Sequence, residues 1–253
     1  MARTIDVLLS PAEYAALGKC DLAGSLCVVF DVLRATSVMA TALAGGAIAI
    51  VPVAEIADAV TLKHANPDWL LGGERGGLRI TAAQSGGVDF DLGNSPREYT
   101  PERVAGKTIV TTTTNGTRAL RACTGAAGIV AASFLNLSAC ATFAATHATD
   151  RILLVCAGTG ESAAFEDALA AGAFCDLLMK AGNDVEMTDA AWVAWQADRH
   201  THFDPPATAR FSLNARRLLA IPSLSDDVEF CLQRDHFTSV PVLGRDGMIR
   251  NAA

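Results

Sequence analysis

A three-layer α/β sandwich, with a largely parallel or mixed central sheet and helices on both faces, is what the sequence predicts. Three observations lead there. Short apolar, β-branched runs alternate with alanine-rich stretches of helical length, the βαβα rhythm of a sheet covered on both sides. The chain has 253 residues, 51% hydrophobic and 19% charged, enough to bury a core without a metal or disulfide. No internal repeat, low-complexity tract or Pro/Ser-rich linker divides it, so residues 1–253 read as one domain. The irregular stretch 72–99 is long for a plain connection and is expected to line the site, whether the chain is one domain or two subdomains.

The elements follow in order. Strands are predicted at 5–9, 26–30, 47–53, 107–112, 128–131, 151–157 and 240–243, where apolar and β-branched residues cluster between turn signals. Ser10-Pro11-Ala12-Glu13 reads as a capping box with proline at the first helical position. Further helices are predicted over 36–44, 56–63, 117–122, 137–147, 165–181 and 225–233. Residues 38–53 are greasy, but Thr41, Gly45, Gly46 and Pro52 interrupt them well short of the roughly 20 residues of a membrane span, leaving a helix, a Gly-Gly stop and a strand. Trp192 and Trp195, three apart, read as a packed helix face.

Composition excludes several classes. Lys and Arg number 20 against 27 Asp and Glu, a net charge of −7 without like-charge blocks, which argues against nucleic-acid or anionic-membrane surfaces. Seven cysteines form no C-x-x-C pair and read as reduced thiols. Asp6, Pro11 and Glu13 break every apolar run near the start, so no signal peptide is expected and a cytoplasmic location is.

In open α/β sheets the ligand crevice lies beyond the carboxyl ends of the strands. There this sequence places Asp31-Val32-Leu33-Arg34-Ala35-Thr36-Ser37, then Thr113-Thr114-Asn115-Gly116-Thr117-Arg118, then Gly158-Thr159-Gly160-Glu161, each ahead of a predicted helix. Helix N-termini present unpaired N–H groups and positive dipole ends, so several converging ones make an anion site. Asn94-Ser95-Pro96-Arg97-Glu98 adds another helix start, and Arg34, Arg75 and Arg118 supply forks suited to phosphate, sulfonate or carboxylate. Singly, each Thr, Ser or Asn is as readily a plain N-cap. Their coincidence marks Asn94, Ser95, Thr113, Thr114, Asn115, Gly116, Thr117, Gly158 and Thr159, with Arg75 and Arg118, as substrate-binding candidates.

Asp31, Glu74, Glu161, Glu166 and Asp167 fall in or beside the same loops. An anion site carrying carboxylates calls for a divalent cation between them. Mg²⁺ fits, with Asp31, Glu74, Glu166 and Asp167 as candidate ligands and Asp31, Glu166 and Arg34 as catalytic candidates. The plainer alternatives are helix first-turn acids for Glu166 and Asp167 and a solvated turn for Glu74. Asp31 sits where an aspartyl nucleophile would, but the acid such enzymes carry two residues on is replaced by Leu33, so a metal-holding role and a non-covalent mechanism are expected.

Competing motifs are weaker. Gly158-Thr159-Gly160-Glu161-Ser162-Ala163 matches G-x-G-x-x-A, with Asp184 or Glu186 at the distance of a ribose-binding acid, which keeps a dinucleotide-binding oxidoreductase or binding module as the second reading. Gly106-Lys107-Thr108 is no P-loop, since Pro101 stands where its first glycine belongs. His200-Thr201-His202 could bind metal but reads as a polar loop pair.

Longer strings then match a family: V-V-F-D-V-L-R-A-T-S (28–37), G-G-E-R-G-G (72–77), F-D-L-G-N-S-P-R-E-Y-T (90–100), T-T-T-T-N-G-T-R-A-L (111–120), A-S-F-L-N (132–136), E-D-A-L-A-A-G-A (166–173), D-V-E-F-C-L (227–232) and V-P-V-L (240–243). Together they resemble the 2-phosphosulfolactate phosphatases over nearly the whole chain. The resemblance implies a Mg²⁺-dependent phosphoric monoester hydrolase that makes sulfolactate and phosphate on a route to coenzyme M. It also implies a small anionic phosphorylated substrate; the composition adds no nucleic-acid or membrane partner, and the sequence leaves the oligomeric state open, a homodimer being one alternative. Asp89 and the pair Asn214-Ala215 depart from the family's usual Gly and His-Gly.

Overall fold

The computed structural model describes residues 3–182, 184–201, 204, 208 and 210–252. Its strands are β1 (Arg3–Leu8), β2 (Ser25–Phe30), β3 (Ala49–Pro52), β4 (Leu70–Arg75), β5 (Leu78–Arg79), β6 (Thr108–Thr112), β7 (Gly128–Ala132), β8 (Arg151–Cys156), β9 (Val185–Met187), β10 (Pro241–Leu243) and β11 (Ile249–Asn251). They form one sheet in the order β5-β4-β6-β3-β11-β10-β7-β2-β8-β1-β9.

The sheet is mixed, and its pairing has a clear logic. The strands β4, β6 and β3 are mutually parallel, as are β7, β2, β8, β1 and β9. Between the two blocks lies the antiparallel hairpin β10–β11, with Val242 opposite Val130 of β7 and Ile249 opposite Ile50 of β3. Three antiparallel steps in succession leave the two blocks running in opposite directions. Five steps separate β6 from β2. At roughly 20–25° of twist per step the sheet turns by on the order of 100° across them. That accumulated turn lets the carboxyl ends of oppositely directed blocks border one cavity.

β2 is buried at every position, and its alternation sorts side chains to the two faces. Leu26, Val28 and Phe30 join Ile152, Leu154 and Cys156 of β8 in the core under helices Leu137–Thr146, Phe165–Lys180 and Asp189–Thr201. Cys27 and Val29, with Leu153 and Val155, pack on the opposite face beneath helices Ala35–Ala44 and Gly116–Ala122. This is the predicted three-layer arrangement. Over β4 and β6 a smaller cluster joins Leu71, Val110, Ile80 and Phe90 to helix Ile56–Ala65.

Several local expectations change. The stretch 72–99 is not irregular throughout: it contains the hairpin β4–β5, helix Ala82–Ser85 and a 3₁₀ turn at Pro96–Glu98. The N-terminal box closes one residue further out than expected, because Glu13 accepts from Leu9 N and from Ser10 Oγ, both at 2.8 Å. Trp192 stands half-exposed against Trp195, whose Nε1 donates to Asp176 Oδ1 at 3.1 Å. All seven cysteines are free, six of them buried. His200 lies in helix Asp189–Thr201, and His202 lies outside the described residues. No helix among the described residues is long and apolar enough to cross a membrane.

Helices Phe165–Lys180 and Asp189–Thr201 meet at Gly172, where an added Cβ would lie 2.1 Å from the Ala194 carbonyl oxygen. Gly172→Ala is therefore expected to lower unfolding free energy by about 1–3 kcal/mol in urea titrations despite alanine's better helix propensity; an unchanged midpoint would show that the helices separate without cost. Beside this crossing sits Asp198, buried with Oδ1 unpartnered among the described residues. Burial pushes its carboxyl up to about 6, with the Asp176 charge adding to the rise against Arg234 and Arg199. A raised folded-state value means that the site favours the neutral acid. The wild type is thus least penalised below pH 4 and loses stability as pH rises through 6. Asp198→Asn should stabilise by about 1 kcal/mol at pH 8 and by nothing near pH 3.5. Equal midpoints at both pH values would remove Asp198 from the pH dependence.

Candidate active site

Asp31 is the first residue after β2, and its carboxylate organises the next turn. Oδ1 accepts the Ala35 N–H at 3.1 Å, while the Asp31 N–H donates to Thr36 Oγ1 at 3.0 Å, so Asp31 caps helix Ala35–Ala44 from four residues away. Oδ2 has no hydrogen-bond partner among the described residues, and Gly116 lies so close that an added Cβ would fall 2.7 Å from it. Burial pushes the Asp31 carboxyl up to about 7; the Ala35 N–H opposes the rise, the charges of Glu74 and Glu166 add to it, and Arg34 opposes it. Glu74, at the end of β4, is gripped from both sides. Oε1 accepts from the N–H and Oγ1 of Thr114, each at 2.8 Å, and Oε2 accepts the Gly77 N–H at 2.7 Å.

These two carboxylates line a cavity of about 460 Å³ built from the ends of β2, β4, β6 and β8. Asn94, Thr113, Thr114, Asn115, Gly158 and Thr159, all expected from sequence, line it as well. Asn115 ties two of the loops together, its Nδ2 donating to the carbonyls of Ala157 (2.9 Å) and Gly160 (3.0 Å). Gly158 needs its freedom, since φ is +75° and a Cβ would lie 2.4 Å from the Ser162 carbonyl oxygen. Five buried side-chain polar atoms lack a partner among the described residues, and three of them, Asn94 Oδ1, Asn115 Oδ1 and Thr159 Oγ1, belong to this lining. Unsatisfied buried oxygens at one site are what a bound ligand or ion would complete.

Of the expected ligand quartet, two line the cavity and two do not. Glu166 and Asp167 do not line the cavity. Glu166 accepts from Ser212 Oγ at 2.7 Å and Asn214 Nδ2 at 3.3 Å, and burial raises its carboxyl. Asp167 spends both oxygens on backbone, accepting Val32 N–H at 2.8 Å and Gly158 N–H at 3.0 Å, and so braces the β2 and β8 loops against each other. Burial pushes its carboxyl well up, with the charges of Glu166 and Asp31 adding. No group of three or more His, Cys, Asp or Glu able to hold a metal occurs among the described residues. What faces the cavity is a pair of carboxylates with amide and hydroxyl oxygens around them, a hard-oxygen set suited to Mg²⁺ that keeps substrate and water among its ligands.

The arginines are redistributed too. Arg34 lines the cavity, but its guanidinium is committed: one nitrogen lies 2.7 Å from Asp227 Oδ2 and another donates to the Gly77 carbonyl at 2.6 Å. Arg75 turns away, donating to the Glu74 and Ala54 carbonyls and to Thr112 Oγ1 at 2.7, 3.2 and 2.9 Å. Arg118 pairs with Glu161 at 3.1 Å on the exposed surface. Thr117 serves its helix, its N–H going to Thr113 Oγ1 and its own Oγ1 to the Thr113 carbonyl. Ser95 Oγ donates to Asp227 at 2.6 Å rather than facing the cavity.

Sequence reasoning missed Asp227, which was visible only as the first letter of D-V-E-F-C-L, and the Arg217, Leu218 and Ile221 part of the wall; Asn214 beside them stood out only as a departure from the family pattern. Asn214 and Leu218 lie on helix Leu213–Leu219, for which no element was predicted. The glycine loop is not a dinucleotide fingerprint. A tight Thr159–Ser162 turn closes it, the helix begins only at Phe165, and Glu186 lies on β9, with β1 between it and β8.

A family model described as 2-phosphosulpholactate phosphatase matches residues 13–246. A probable 2-phosphosulfolactate phosphatase of Caldicellulosiruptor saccharolyticus is 40% identical over 218 residues, 85% of this chain and 87% of the relative. Proteins of the same description from Caldanaerobacter subterraneus subsp. tengcongensis and Thermotoga maritima are 38% and 39% identical, each alignment taking in 94% of this chain and 95% of the relative. With a matching model across most of its length and relatives of this identity and coverage, the chain belongs to the 2-phosphosulpholactate phosphatase family.

Proposed function

We propose that the protein is a Mg²⁺-dependent phosphoric monoester hydrolase that converts 2-phosphosulfolactate, or a closely similar small anionic phosphate ester, to sulfolactate and phosphate. The observation that carries this reading is the meeting of Asp31 and Glu74 in one cavity with the loops after β2, β4, β6 and β8, in a chain of this family. Asp31 and Glu74 are the residues that would hold Mg²⁺, which when bound supplies positive charge against the phosphate oxygens and offsets the two carboxylates. Thr113, Thr114 and Asn115 orient the phosphate at the mouth of helix Gly116–Ala122. Arg34, fixed between Asp227 and Gly77, presents an immobile positive edge toward charge that develops on the equatorial oxygens. Leu33, two residues after Asp31, lines the cavity with an apolar side chain, so no carboxyl stands at the position from which an aspartyl-phosphate mechanism takes its acid. Asp31 accordingly orients and does not attack.

Inorganic phosphate release from a panel of phosphate esters, run with and without EDTA beside a fluorescence titration with NAD(P)H, tests the reading. Hydrolysis of 2-phosphosulfolactate that stops on chelation and returns with Mg²⁺ is expected, and full activity after rigorous chelation would sink the metal assignment. Asp31→Asn should lose about 100-fold or more in kcat/KM, with partial recovery at high Mg²⁺. Acid-quenched turnover of ³²P-labelled substrate should leave the protein unlabelled; hydroxylamine-labile label on Asp31 would establish the covalent route instead.

Arg34 and Asp227 can be separated from folding. Asp227→Ala strands a buried guanidinium and should cost about 3–5 kcal/mol. The double change Arg34→Met/Asp227→Leu is expected to recover most of that stability while activity stays lost. Activity returning with stability would show that the pair is scaffold alone.

A further inference from the structure

The charges lining the cavity leave one side chain unaccounted for. Asp31 and Glu74 are acidic, and Arg34 is matched by Asp227 at 2.7 Å, with both side chains almost wholly buried. Arg217, on the facing wall, is the one cationic lining residue with neither ion pair nor hydrogen bond among the described residues. Its helix is firmly seated. Ser212 Oγ accepts the Ala215 N–H at 2.9 Å and donates to Glu166 at 2.7 Å, Asn214 Nδ2 donates to the Leu33 carbonyl at 2.5 Å, and Ala215 and Leu218 are buried. Arg217 therefore projects from a fixed base. Arg217 is exposed, and Leu33, Leu218 and Ile221 line the same cavity with it.

A phosphate ester that also carries a sulfonate or carboxylate, or like 2-phosphosulfolactate both, brings at least one more strong anion than the phosphate-facing loops can serve. A free guanidinium fork matches the paired oxygens of either group. We propose that Arg217 binds this second anion and selects doubly anionic phosphate esters over simple ones, a role that rests on the phosphatase reading of the cavity. Arg217 acts at a distance from the phosphorus, so it governs which ester is held and not how the ester bond breaks.

The test compares wild type, Arg217→Ala, Arg217→Lys and, as a control of equal charge change on the same helix, Arg216→Ala, which lies outside the cavity lining. Substrates are 2-phosphosulfolactate, 2-phosphoglycerate and phenyl phosphate. For Arg217→Ala, KM for 2-phosphosulfolactate is expected to rise about 10- to 100-fold while kcat/KM for phenyl phosphate and kcat for both stay near wild type. Arg217→Lys should recover part of the loss, and Arg216→Ala should match wild type. A KM rise shared by 2-phosphoglycerate assigns the contact to the carboxylate, and one confined to 2-phosphosulfolactate assigns it to the sulfonate; both support the proposal. Equal loss on phenyl phosphate, or no change on the doubly anionic esters, overturns it. Calorimetric titration with sulfolactate and with inorganic phosphate separates the two readings. If wild type hydrolyses no ester the phosphatase reading fails, yet weaker sulfolactate binding by Arg217→Ala alone still sustains the Arg217 contact, and undiminished binding, or none by wild type, removes it.

Discussion

The buried ion pair between Arg34 and Asp227 joins four segments that are distant in sequence. Arg34 belongs to the loop after β2, Asp227 to helix Ser225–Cys231, and the Gly77 carbonyl to the β4–β5 turn, while Ser95 Oγ reaches Asp227 from the 3₁₀ turn at Pro96–Glu98. Arg34, Asp227 and Ser95 are buried, so their polar groups depend on partners within the protein, with the half-exposed Arg97 reaching Asp227 Oδ1 at 3.6 Å from the rim. Gly77, held by its carbonyl to Arg34, offers its N–H to Glu74, and Glu74 holds Thr114. The position of a carboxylate on one parallel block is thereby set by an ion pair rooted in the other. Loops are usually the loosest parts of an α/β fold; here they are cross-linked by charge.

The same principle orders the β2–β8 side of the cavity. Asp167 contributes no atom to the lining, yet it fixes the backbone of Val32 and Gly158, on either side of Asp31 and Thr159. Buried acids in this region divide into those that face the cavity and those that brace it. Hydrogen bonding alone does not make the division, since Glu74 is held on both oxygens by N–H and hydroxyl donors as Asp167 and Glu166 are; Asp31 differs in retaining an oxygen free of protein partners among the described residues.

How much of this was legible in the sequence follows from the range of the forces involved. β2 and β8 were readable because burial on both faces writes a continuous apolar run, and the hydroxyl- and glycine-rich loops after them were readable because strand-to-helix turns need those residues. Asp31, Glu74, Thr113, Thr114, Asn115 and Gly158 were found that way. Partner choice was not. Arg75 and Arg34 look alike in sequence, one residue after Glu74 and three after Asp31, yet carbonyls capture the first outside the cavity while the second meets Asp227, 193 positions away. Arg217 stayed hidden for a different reason: helix Leu213–Leu219 is short, and its apolar positions Leu213, Leu218 and Leu219 mark no clear face, two of them being exposed. The strands β5, β9 and β11, two or three residues long, are too short for periodicity to register.

The hairpin β10–β11 sets the order in which the molecule can be assembled. It follows the other nine strands in chain order, yet it occupies the middle of the sheet. Until residues 241–251 arrive, β3 and β7 each present an open edge, and the two parallel blocks are separate, half-finished sheets. Joining the blocks is therefore a keystone step, in which a short segment closes contacts spanning most of the strands and the cavity between the blocks acquires its shape. A nascent chain cut short before that segment would expose two adhesive edges at once, so truncation here is a route to aggregation rather than to a smaller working protein.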